Sequence, residues 1–271
     1  MSHANPSLPT APSYDYIIAG AGGAGLSLLH YLLASPVLSN KQILVIDQSL
    51  EKTNDRTWCF WEIGDNEFES LVQHRWDAIS IHAGSFSKEL ATAPFSYKMI
   101  QGIDFYNYVI TAAKLKSNVH WVEAAISSMA ETVSDNIDKE VLVKWEGGFA
   151  QGKKVFTSIL PFQMNNLASV TKYDSINQPA NKFPFLWQHF KGRVVSFNQP
   201  VFDQQVARLM DFNVPQHSAT AFMYLLPINE TQALLAVEPA LLSLVQGGRL
   251  KLIAVTSPQR LPTRPDLQTV A

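Results

Sequence analysis

The stretch YDYIIAGAGGAGLSLLHYLL, residues 14–33, decides the fold of this chain. Residues 14–19 (YDYIIA) are a short apolar run bounded by glycine, which predicts a buried parallel strand. Residues 20–25 (GAGGAG) carry the spacing Gly-x-Gly-x-x-Gly, and residues 26–33 predict a helix that stops before Pro36. A strand, a glycine turn and a helix in this order are typical of a dinucleotide-binding domain.

A second strand and a terminal acid complete a βαβ unit. Residues 42–46 (QILVI) predict the strand, and Asp47 stands at its end. Asp47 follows the turn by about 20 residues, where an acid accepts hydrogen bonds from a ribose diol. Arg56 follows after a short loop and is predicted to help hold the nucleotide, as an arginine does at this place in many FAD domains. This arginine and the strand-rich middle of the chain favour FAD over NAD.

The glycines of the turn are predicted to bind the cofactor. Gly20 permits the tight turn out of the strand, Gly22 lets the backbone approach a pyrophosphate, and Gly25 allows the helix to pack closely on the strand. Gly23 belongs to the same cradle, beside a helix N-terminus whose N–H groups carry partial positive charge toward the phosphates. A chance turn in a structural loop is the alternative, and the ordered strand, turn, helix, strand and acid argue against it.

Composition and charge set the broad class of the protein. The chain has 271 residues, 46% of them hydrophobic and 16% charged, which predicts one large globular domain or two intimate ones. The formal net charge of -2 gives no electrostatic case for binding nucleic acid. Cys59 is the only cysteine, which excludes disulfides within the chain and clustered-thiolate metal sites. No metal site is predicted, and a reducing, cytoplasmic compartment fits.

The two ends of the sequence differ from its middle. Residues 1–13 predict a disordered terminus without the apolar run of a signal peptide, and residues 239–271 predict an atypical, disordered tail. The composition shifts near Leu235, beyond which only Glu238 and Asp266 are acidic. No stretch reaches the roughly 18 apolar residues of a membrane-spanning helix. Peripheral contact with the inner face of a membrane is left open.

Between the ends, the pattern predicts a chain rich in strands. Residues 104–114 predict a helix capped by Asp104, with Phe105, Tyr108, Val109 and Ala112 on one face. Residues 54–61 (NDRTWCFW) show no clear period and predict a loop, as does the polar stretch 165–181. Further strands are predicted at residues 77–83, 86–90, 119–125, 140–145, 153–160, 187–197 and 221–226.

Five segments resemble those of the bacterial lycopene cyclase family. The resemblance covers residues 14–235 and rests on the segments in combination. They are NDRTWCFW (54–61), QGIDFYNYV (101–109), LWQHFKGRVV (186–195), ARLMDF (207–212) and FMYLLPINETQALL (222–235).

The resemblance implies an α/β fold of the p-hydroxybenzoate-hydroxylase type. In this fold an FAD-binding Rossmann-like domain is interleaved with an antiparallel β-sheet substrate domain. The expected cyclase-like domain spans residues 14–238, with the substrate sheet at roughly 62–100 and 183–238. The implied substrate is lycopene, whose ends are closed into β-ionone rings. The implied cofactor is reduced FAD with NADPH as the reductant, and the reaction has no net redox change.

Cyclisation of this kind needs an acid and groups that stabilise a carbocation. Aromatic faces attract cations, which makes Trp58, Trp61 and Tyr224 candidates, and core packing is the alternative for each of them. Asp211 is the candidate acid or acid-orienting group, with a strand-end turn residue as the alternative.

The chain departs from the family's pattern on the strand after residue 230. The family carries a glutamate associated with catalysis where this chain has Ala236. Glu238 lies two residues later, a displacement of roughly 7 Å along a strand, too far for a simple substitute. Together with the tail, this predicts a truncated or frameshifted copy with weak or no activity. An FAD/NADPH-dependent monooxygenase or halogenase and a non-catalytic flavin-fold remnant are the other hypotheses.

Overall fold

A computed structural model describes most of the chain. The described residues are 11–132, 140–158, 191–216 and 221–237, with short strands at 251–252, 254–255 and 268–269. The chain divides into two compact units, and each unit is built from two separate stretches of sequence. The first unit comprises Met1–Glu51 and Tyr106–Phe185, and the second comprises Lys52–Phe105 and Leu186–Ala271.

The first unit contains a six-stranded sheet in the order β8-β2-β1-β11-β10-β9. The four strands β8, β2, β1 and β11 run parallel, and β10 and β9 extend the sheet antiparallel. The strands are β1 (Ser13–Ala19), β2 (Ile43–Asp47), β8 (Val119–Glu123), β9 (Ile126–Glu131), β10 (Val141–Trp145) and β11 (Gly148–Thr157).

Parallel strands need a covered face on each side, and the sequence supplies apolar side chains for both. Ile43 to Ile46 of β2 are all buried, and Ile17 of β1 packs with Leu44 and Val143 in the core of the unit. Helix α1 (Gly23–Ala34) follows β1 directly and buries Leu26, Leu29 and Leu32. The predicted βαβ order is therefore observed.

The second unit contains two sheets. The three-stranded sheet has the order β3-β7-β4, and the seven-stranded sheet has the order β16-β12-β15-β14-β13-β5-β6. The smaller sheet comprises β3 (Thr57–Glu62), β4 (Val72–Trp76) and β7 (Ser96–Gln101). The larger comprises β5 (Ala78–Ala83), β6 (Phe86–Ala91), β12 (Lys191–Ser196), β13 (Val206–Asp211), β14 (Met223–Pro227), β15 (Gln232–Val237) and β16 (Lys251–Leu252).

The two sheets of this unit share one hydrophobic core. Trp76 is fully buried in it, and its indole N–H donates a hydrogen bond of 3.0 Å to the carbonyl of Pro227 in β14. This bond satisfies the one polar atom of a side chain that otherwise buries apolar surface. The core is formed by Trp76, Tyr97 and Met99 of the small sheet with Ala207, Leu226 and Leu234 of the large one.

The prediction of a loop at residues 54–61 is wrong for its second half. Residues Thr57–Glu62 form β3, which pairs with β7 in an unbroken antiparallel register. β3 carries bulky side chains on both faces, so its sequence lacks the alternation that marks a half-buried strand. Strands β4, β7 and β9 were also missed by the sequence analysis.

Helix α2 begins earlier than its sequence predicts. It spans Gly102–Lys114, so Asp104 lies in its first turn instead of capping it. The Asp104 carboxylate accepts a hydrogen bond of 2.9 Å from the Gln73 side chain. The predicted apolar face is wrong in part, because Tyr108 and Ala112 are exposed. The buried residues of the helix include Phe105, Tyr106, Val109 and Ala113.

The predicted termini are described in part. Ser13 belongs to β1, and the Pro12 carbonyl accepts a hydrogen bond of 2.8 Å from the Gln151 N–H, which corrects the boundary of the predicted disordered terminus. Residues 1–10 lie outside the described residues, as do the predicted loop at 165–181 and most of the tail. Disorder of the tail, and a substrate role for residues 62–100 and 183–238, stay predictions.

Candidate cofactor and substrate sites

The turn after β1 requires glycine at its first position. Gly20 has φ of +112°, a conformation that L side chains rarely adopt. A Cβ atom there would also lie 2.3 Å from the hydroxyl oxygen of Ser158. The Gly20 N–H donates to the Ile46 carbonyl at 2.8 Å, which ties the turn to the end of β2.

The third glycine of the motif lies where the helix crosses the turn. A Cβ atom on Gly25 would lie 1.9 Å from the Gly20 carbonyl oxygen and 3.0 Å from the Ile18 side chain. Backbone therefore touches backbone at this point, and no side chain fits between helix and strand.

The N-terminus of α1 is open on the side of Gly22. Gly22 is the N-cap residue, no side chain caps the helix there, and its first turn contains no acid. A Cβ atom on Gly22 would meet nothing within 4 Å. The backbone N–H groups of the first helical turn, from Gly23 onward, can therefore bind an anion, because no capping side chain accepts hydrogen bonds from them.

Two acids end neighbouring parallel strands beside this turn. The Asp47 carboxylate accepts hydrogen bonds from the Ala21 N–H at 2.6 Å and from the Ser49 N–H at 2.9 Å. Glu123 stands beside Asp47 in the register of β2 and β8, and accepts from the Leu50 N–H at 2.8 Å. Sequence reasoning missed Glu123, although an acid at the end of a third buried strand was a usable signal.

Arg56, the remaining predicted nucleotide contact, lies in the second unit. Its side chain is 67% exposed, and its guanidinium forms an ion pair of 3.5 Å with Asp55. Its carbonyl accepts a hydrogen bond of 2.8 Å from the N–H of Gly102, where α2 begins. Binding of a nucleotide by Arg56 stays a prediction.

The two tryptophans predicted for the substrate site lie on opposite faces of the small sheet. Trp61 points to the side of the shared core, with its ring centroid 4.6 Å from that of Tyr97. Trp58 is three residues earlier, points to the other side, and meets Phe105 edge-on at 5.5 Å. The strand pleat therefore separates two residues that sequence reasoning had grouped together.

Tyr224 lies on the core-facing side of the large sheet. It is partly buried, packs on the core shared with Cys59 and Tyr97, and stands directly opposite Ala236 in the pairing of β14 with β15. Burial raises the pKa of Tyr224, with a further contribution from Cys59. The position where the resemblance implies a glutamate is thus paired across the strands with a tyrosine.

Cys59 and Tyr97 are hydrogen-bonded partners in the same core. Burial raises the pKa of Cys59 to about 12, against a smaller opposite effect of the hydrogen bond with Tyr97. Burial also raises the pKa of Tyr97. Both groups are therefore neutral at physiological pH.

Asp211 lies on the other face of the large sheet from Tyr224. It pairs with Met223, which packs in a separate cluster around Val195. The side chain is almost fully buried, pairs with the Arg208 guanidinium at 3.0 Å and accepts from the Asn213 N–H at 2.9 Å. These contacts engage both carboxylate oxygens as acceptors and hold the side chain on the face away from Tyr224.

A buried lysine was not anticipated from the sequence. Lys98 of β7 is 0% exposed, and its ammonium donates to Glu62 at 2.9 Å, to Glu69 and to the Gly64 carbonyl. Burial acts to lower the pKa of Lys98, but its hydrogen bonds and ion pairs with Glu69 and Glu62 outweigh burial and raise it. This Lys98 cluster lies on the Trp58 side of the small sheet.

The described part of the chain contains no candidate metal site and no candidate membrane-spanning helix. None of its His, Cys, Asp and Glu side chains form a group of three or more that could hold a metal ion. Within the same residues, no helix is both long enough and apolar enough to span a membrane.

The fold is similar to that of several solved structures. PqsL of P. aeruginosa, solved with 2-aminobenzoylacetate, aligns over 83% of this chain with 15% identity and a TM-score of 0.54. A geranylgeranyl bacteriochlorophyll reductase-like protein from Thermoplasma acidophilum aligns over 93% with 11% identity and a TM-score of 0.55. The tryptophan 5-halogenase MibH also aligns over 93% of this chain, with 11% identity and a TM-score of 0.55. These alignments span 60%, 68% and 58% of the respective proteins.

The likeness confirms the predicted fold class, an FAD-type Rossmann-like unit interleaved with a sheet unit. A search of curated proteins gives no match. The family model for lycopene cyclase proteins matches residues 15–250 of the chain. The match continues past Leu235, where the resemblance noted in the sequence ended.

Proposed function

The chain belongs to the lycopene cyclase family, and we propose that it is an FAD-dependent enzyme of carotenoid biosynthesis that closes the ends of lycopene into β-ionone rings. The family match over residues 15–250 is the observation that carries this proposal. The products are β- or γ-carotene, and the reaction is of the intramolecular lyase or isomerase class. Because the substrate is insoluble in water, we include peripheral contact with a membrane in the proposal.

The residues of the first unit fit an FAD pyrophosphate. The uncapped N-terminus of α1 offers N–H groups, and the open space at Gly22 allows a phosphate to approach the backbone. Asp47 stands at the strand end where an acid binds a ribose, and Glu123 stands next to it. We assign the ribose to Asp47, whose bond to the Ala21 N–H already fixes the carboxylate beside the turn.

When bound and reduced, the flavin supplies negative charge that stabilises a substrate cation, with NADPH as the proposed reductant. The protein's own aromatic side chains can add to that stabilisation. Trp61 and Tyr224 present aromatic rings on the core-facing sides of the two sheets. A cation over an aromatic ring gains about 0.5–2 kcal/mol, more where water is excluded.

Neither of the two positions considered for the acid provides a carboxylic acid on that side. Asp211 points to the opposite face of the large sheet, and Ala236 stands where the family carries glutamate. Loss of a general acid typically costs 10²–10⁴-fold in rate. We therefore expect slow turnover relative to family members that have the glutamate, and Ala236→Glu is the substitution expected to raise it.

The test is cyclisation of lycopene by the purified full chain with FAD and NADPH. The matched control is Gly22→Val, because Gly22 has the ordinary φ of -87° and open space, so the variant should fold while blocking the phosphate. We expect bound flavin and cyclic carotene from the parent chain and neither from the control. Oxygen consumption driven by NADPH without cyclisation would instead support a monooxygenase or halogenase. Failure of the folded chain to retain flavin would support a non-catalytic remnant.

A further inference from the structure

Trp61 is stacked on its direct cross-strand neighbour. Trp61 of β3 and Tyr97 of β7 oppose each other in the register, with ring centroids 4.6 Å apart and planes 35° apart. Trp61 is 44% exposed and Tyr97 only 8%. One face of the indole is therefore covered by Tyr97, and its exposed surface is free to meet a ligand.

Tyr97 is itself held in place from its other side. Trp76 of β4 opposes it in the register, with ring centroids 5.8 Å apart. Trp76 is fully buried and is anchored by its hydrogen bond to the Pro227 carbonyl. The three rings form a ladder across β3, β7 and β4, and Trp61 is its exposed end.

The strand end that carries Trp61 is also fixed from the opposite face. Glu62 follows Trp61 in the chain, and its carboxylate accepts from the Lys98 ammonium at 2.9 Å. Lys98 follows Tyr97 in β7 and is fully buried. Tyr97 of β7 thus contacts Trp61 of β3 on one face of the small sheet. On the other face, the next residue of β7, Lys98, pairs with the next residue of β3, Glu62.

From this geometry we propose that Tyr97 is a positioning residue, which orients the indole of Trp61 as the platform for the cationic end of the substrate. The inference rests on the proposed function. Attraction between a cation and an aromatic ring depends on placement over the ring face within about 6 Å of its centroid. A tryptophan at a strand end can rotate about its side-chain bonds, and the stack with Tyr97 restricts that rotation.

The cation exists only while the ring closes, so the contribution of Tyr97 belongs to the transition state. Removing an interaction made only in the transition state lowers kcat and leaves KM nearly unchanged. For Tyr97→Leu we expect a kcat about 3- to 30-fold lower, which corresponds to the range of a cation–aromatic contact. Tyr97→Phe keeps the ring and loses only the hydroxyl bonded to Cys59, so its kcat should stay within about 2-fold of the parent.

The experiment compares the parent chain with Tyr97→Leu, Tyr97→Phe and Trp61→Leu, all loaded with FAD and supplied with lycopene in phosphatidylcholine vesicles. Cyclisation rates give kcat and KM, and quenching of tryptophan fluorescence by lycopene reports binding without turnover. We expect Trp61→Leu to lose the largest share of the quenching and to lower kcat at least as much as Tyr97→Leu. Because Trp61 is exposed, that variant should fold even if Tyr97→Leu does not.

Three outcomes would overturn the inference. In the first, Tyr97→Phe loses as much activity as Tyr97→Leu, which would assign the effect to the hydroxyl. In the second, Tyr97→Leu raises KM as much as it lowers kcat, as expected of general loss of structure. In the third, Trp61→Leu retains the quenching of the parent. A parent chain that binds lycopene through Trp61 but never cyclises it would refute the proposed function and the cationic role of the platform, and would leave only the contact of Trp61 with lycopene.

Discussion

The glycine turn of the first unit and the Lys98 cluster of the second solve opposite structural problems. At the turn, backbone approaches backbone so closely that a Cβ on Gly25 would lie 1.9 Å from the Gly20 carbonyl oxygen. At the cluster, a long charged side chain is buried completely and needs Glu62 and Glu69 as partners. The packing of the first region depends on glycines, which have no side chain, and the stability of the second depends on ion pairs between its side chains. Substitutions should therefore fail in different ways in the two regions.

The largest effect is expected for Gly25→Ala. The added methyl group cannot avoid backbone atoms, so helix and strand must separate, at a cost of about 3 kcal/mol or more. For a domain of this size that corresponds to a melting temperature lower by roughly 6–12 °C, and flavin retention should be lost with it. Thermal melts and flavin absorbance of the purified variant measure both. The control is Gly22→Ala, which has open space and should melt like the parent when both are free of flavin. An equal loss of stability in both variants would contradict the packing argument.

The next largest effect is expected for Lys98→Met, which removes the cation paired with Glu62 and leaves Glu69 with Arg75 alone. Breaking a fully buried pair costs about 3–5 kcal/mol, and since both acids are partly exposed we expect about 2 kcal/mol. Urea unfolding at pH 7 measures this free energy. Lys98→Arg is the control, and it should recover part of the loss because it keeps the charge.

The Lys98 cluster also predicts that the stability of the folded chain falls at alkaline pH. The folded-state pKa of Lys98 is raised, so its stabilisation is complete below the ordinary lysine pKa near 10.4 and is lost as pH rises through the folded value. The difference in unfolding free energy between the parent and Lys98→Met should be constant from about pH 7 to 9 and shrink above about pH 10.5. A difference that shrinks already between pH 7 and 9 would contradict the raised pKa.

A smaller, purely chemical effect is expected at Cys59. Because burial raises its pKa to about 12, the folded chain holds very little thiolate at pH 8. A thiol reagent should react at least about 100-fold more slowly with the folded chain than with the chain in denaturant. Cys59 is the only cysteine, so the absorbance change of a chromogenic thiol reagent measures the reaction of this thiol alone. Equal rates in the two states would show that the thiol is accessible.

The smallest effect is expected for the surface ion pair of Asp15 with Lys153, which are 2.9 Å apart on β1 and β11 of the first unit. The hydrogen bond from Lys153, and then that from the Gln42 N–H, lower the pKa of Asp15. Its stabilisation is present above the ordinary aspartate pKa near 3.9 and disappears as pH falls through the folded value. Lys153→Met should cost less than about 1 kcal/mol at pH 7. Unfolding curves at pH 7 and pH 3 should show a smaller cost at the lower pH.

The glycine turn could be predicted from sequence because its contacts are local. Gly20, Gly25 and Asp47 lie within about 30 residues of one another, and each has a role that follows from backbone geometry. The turn, the helix and the second strand were therefore predicted with nearly the observed bounds.

The small sheet could not be predicted in the same way. In β3, Trp58 and Phe60 fill one face while Cys59 and Trp61 fill the other, so the hydrophobic pattern has no period of two. Its partner strand β7 comes about forty residues later. The burial of Lys98 beneath its acids and the stacking of Trp61 on Tyr97 depend on such distant pairings. Sequence patterns carry no direct signal for them.

The order of the strands in the first sheet has a consequence for synthesis on the ribosome. β1 lies between β2 and β11, and Ile17 pairs with Val155, which is made 138 residues later. At translation rates of 5–20 residues per second, that separation leaves one edge of β1 without its partner for roughly 7–28 s. During this interval an apolar strand (YIIA, 16–19) presents unpaired N–H and C=O groups, the condition that favours pairing with a foreign strand. The nascent chain therefore depends on prompt shielding of that edge, and slower translation should lower the yield of soluble protein.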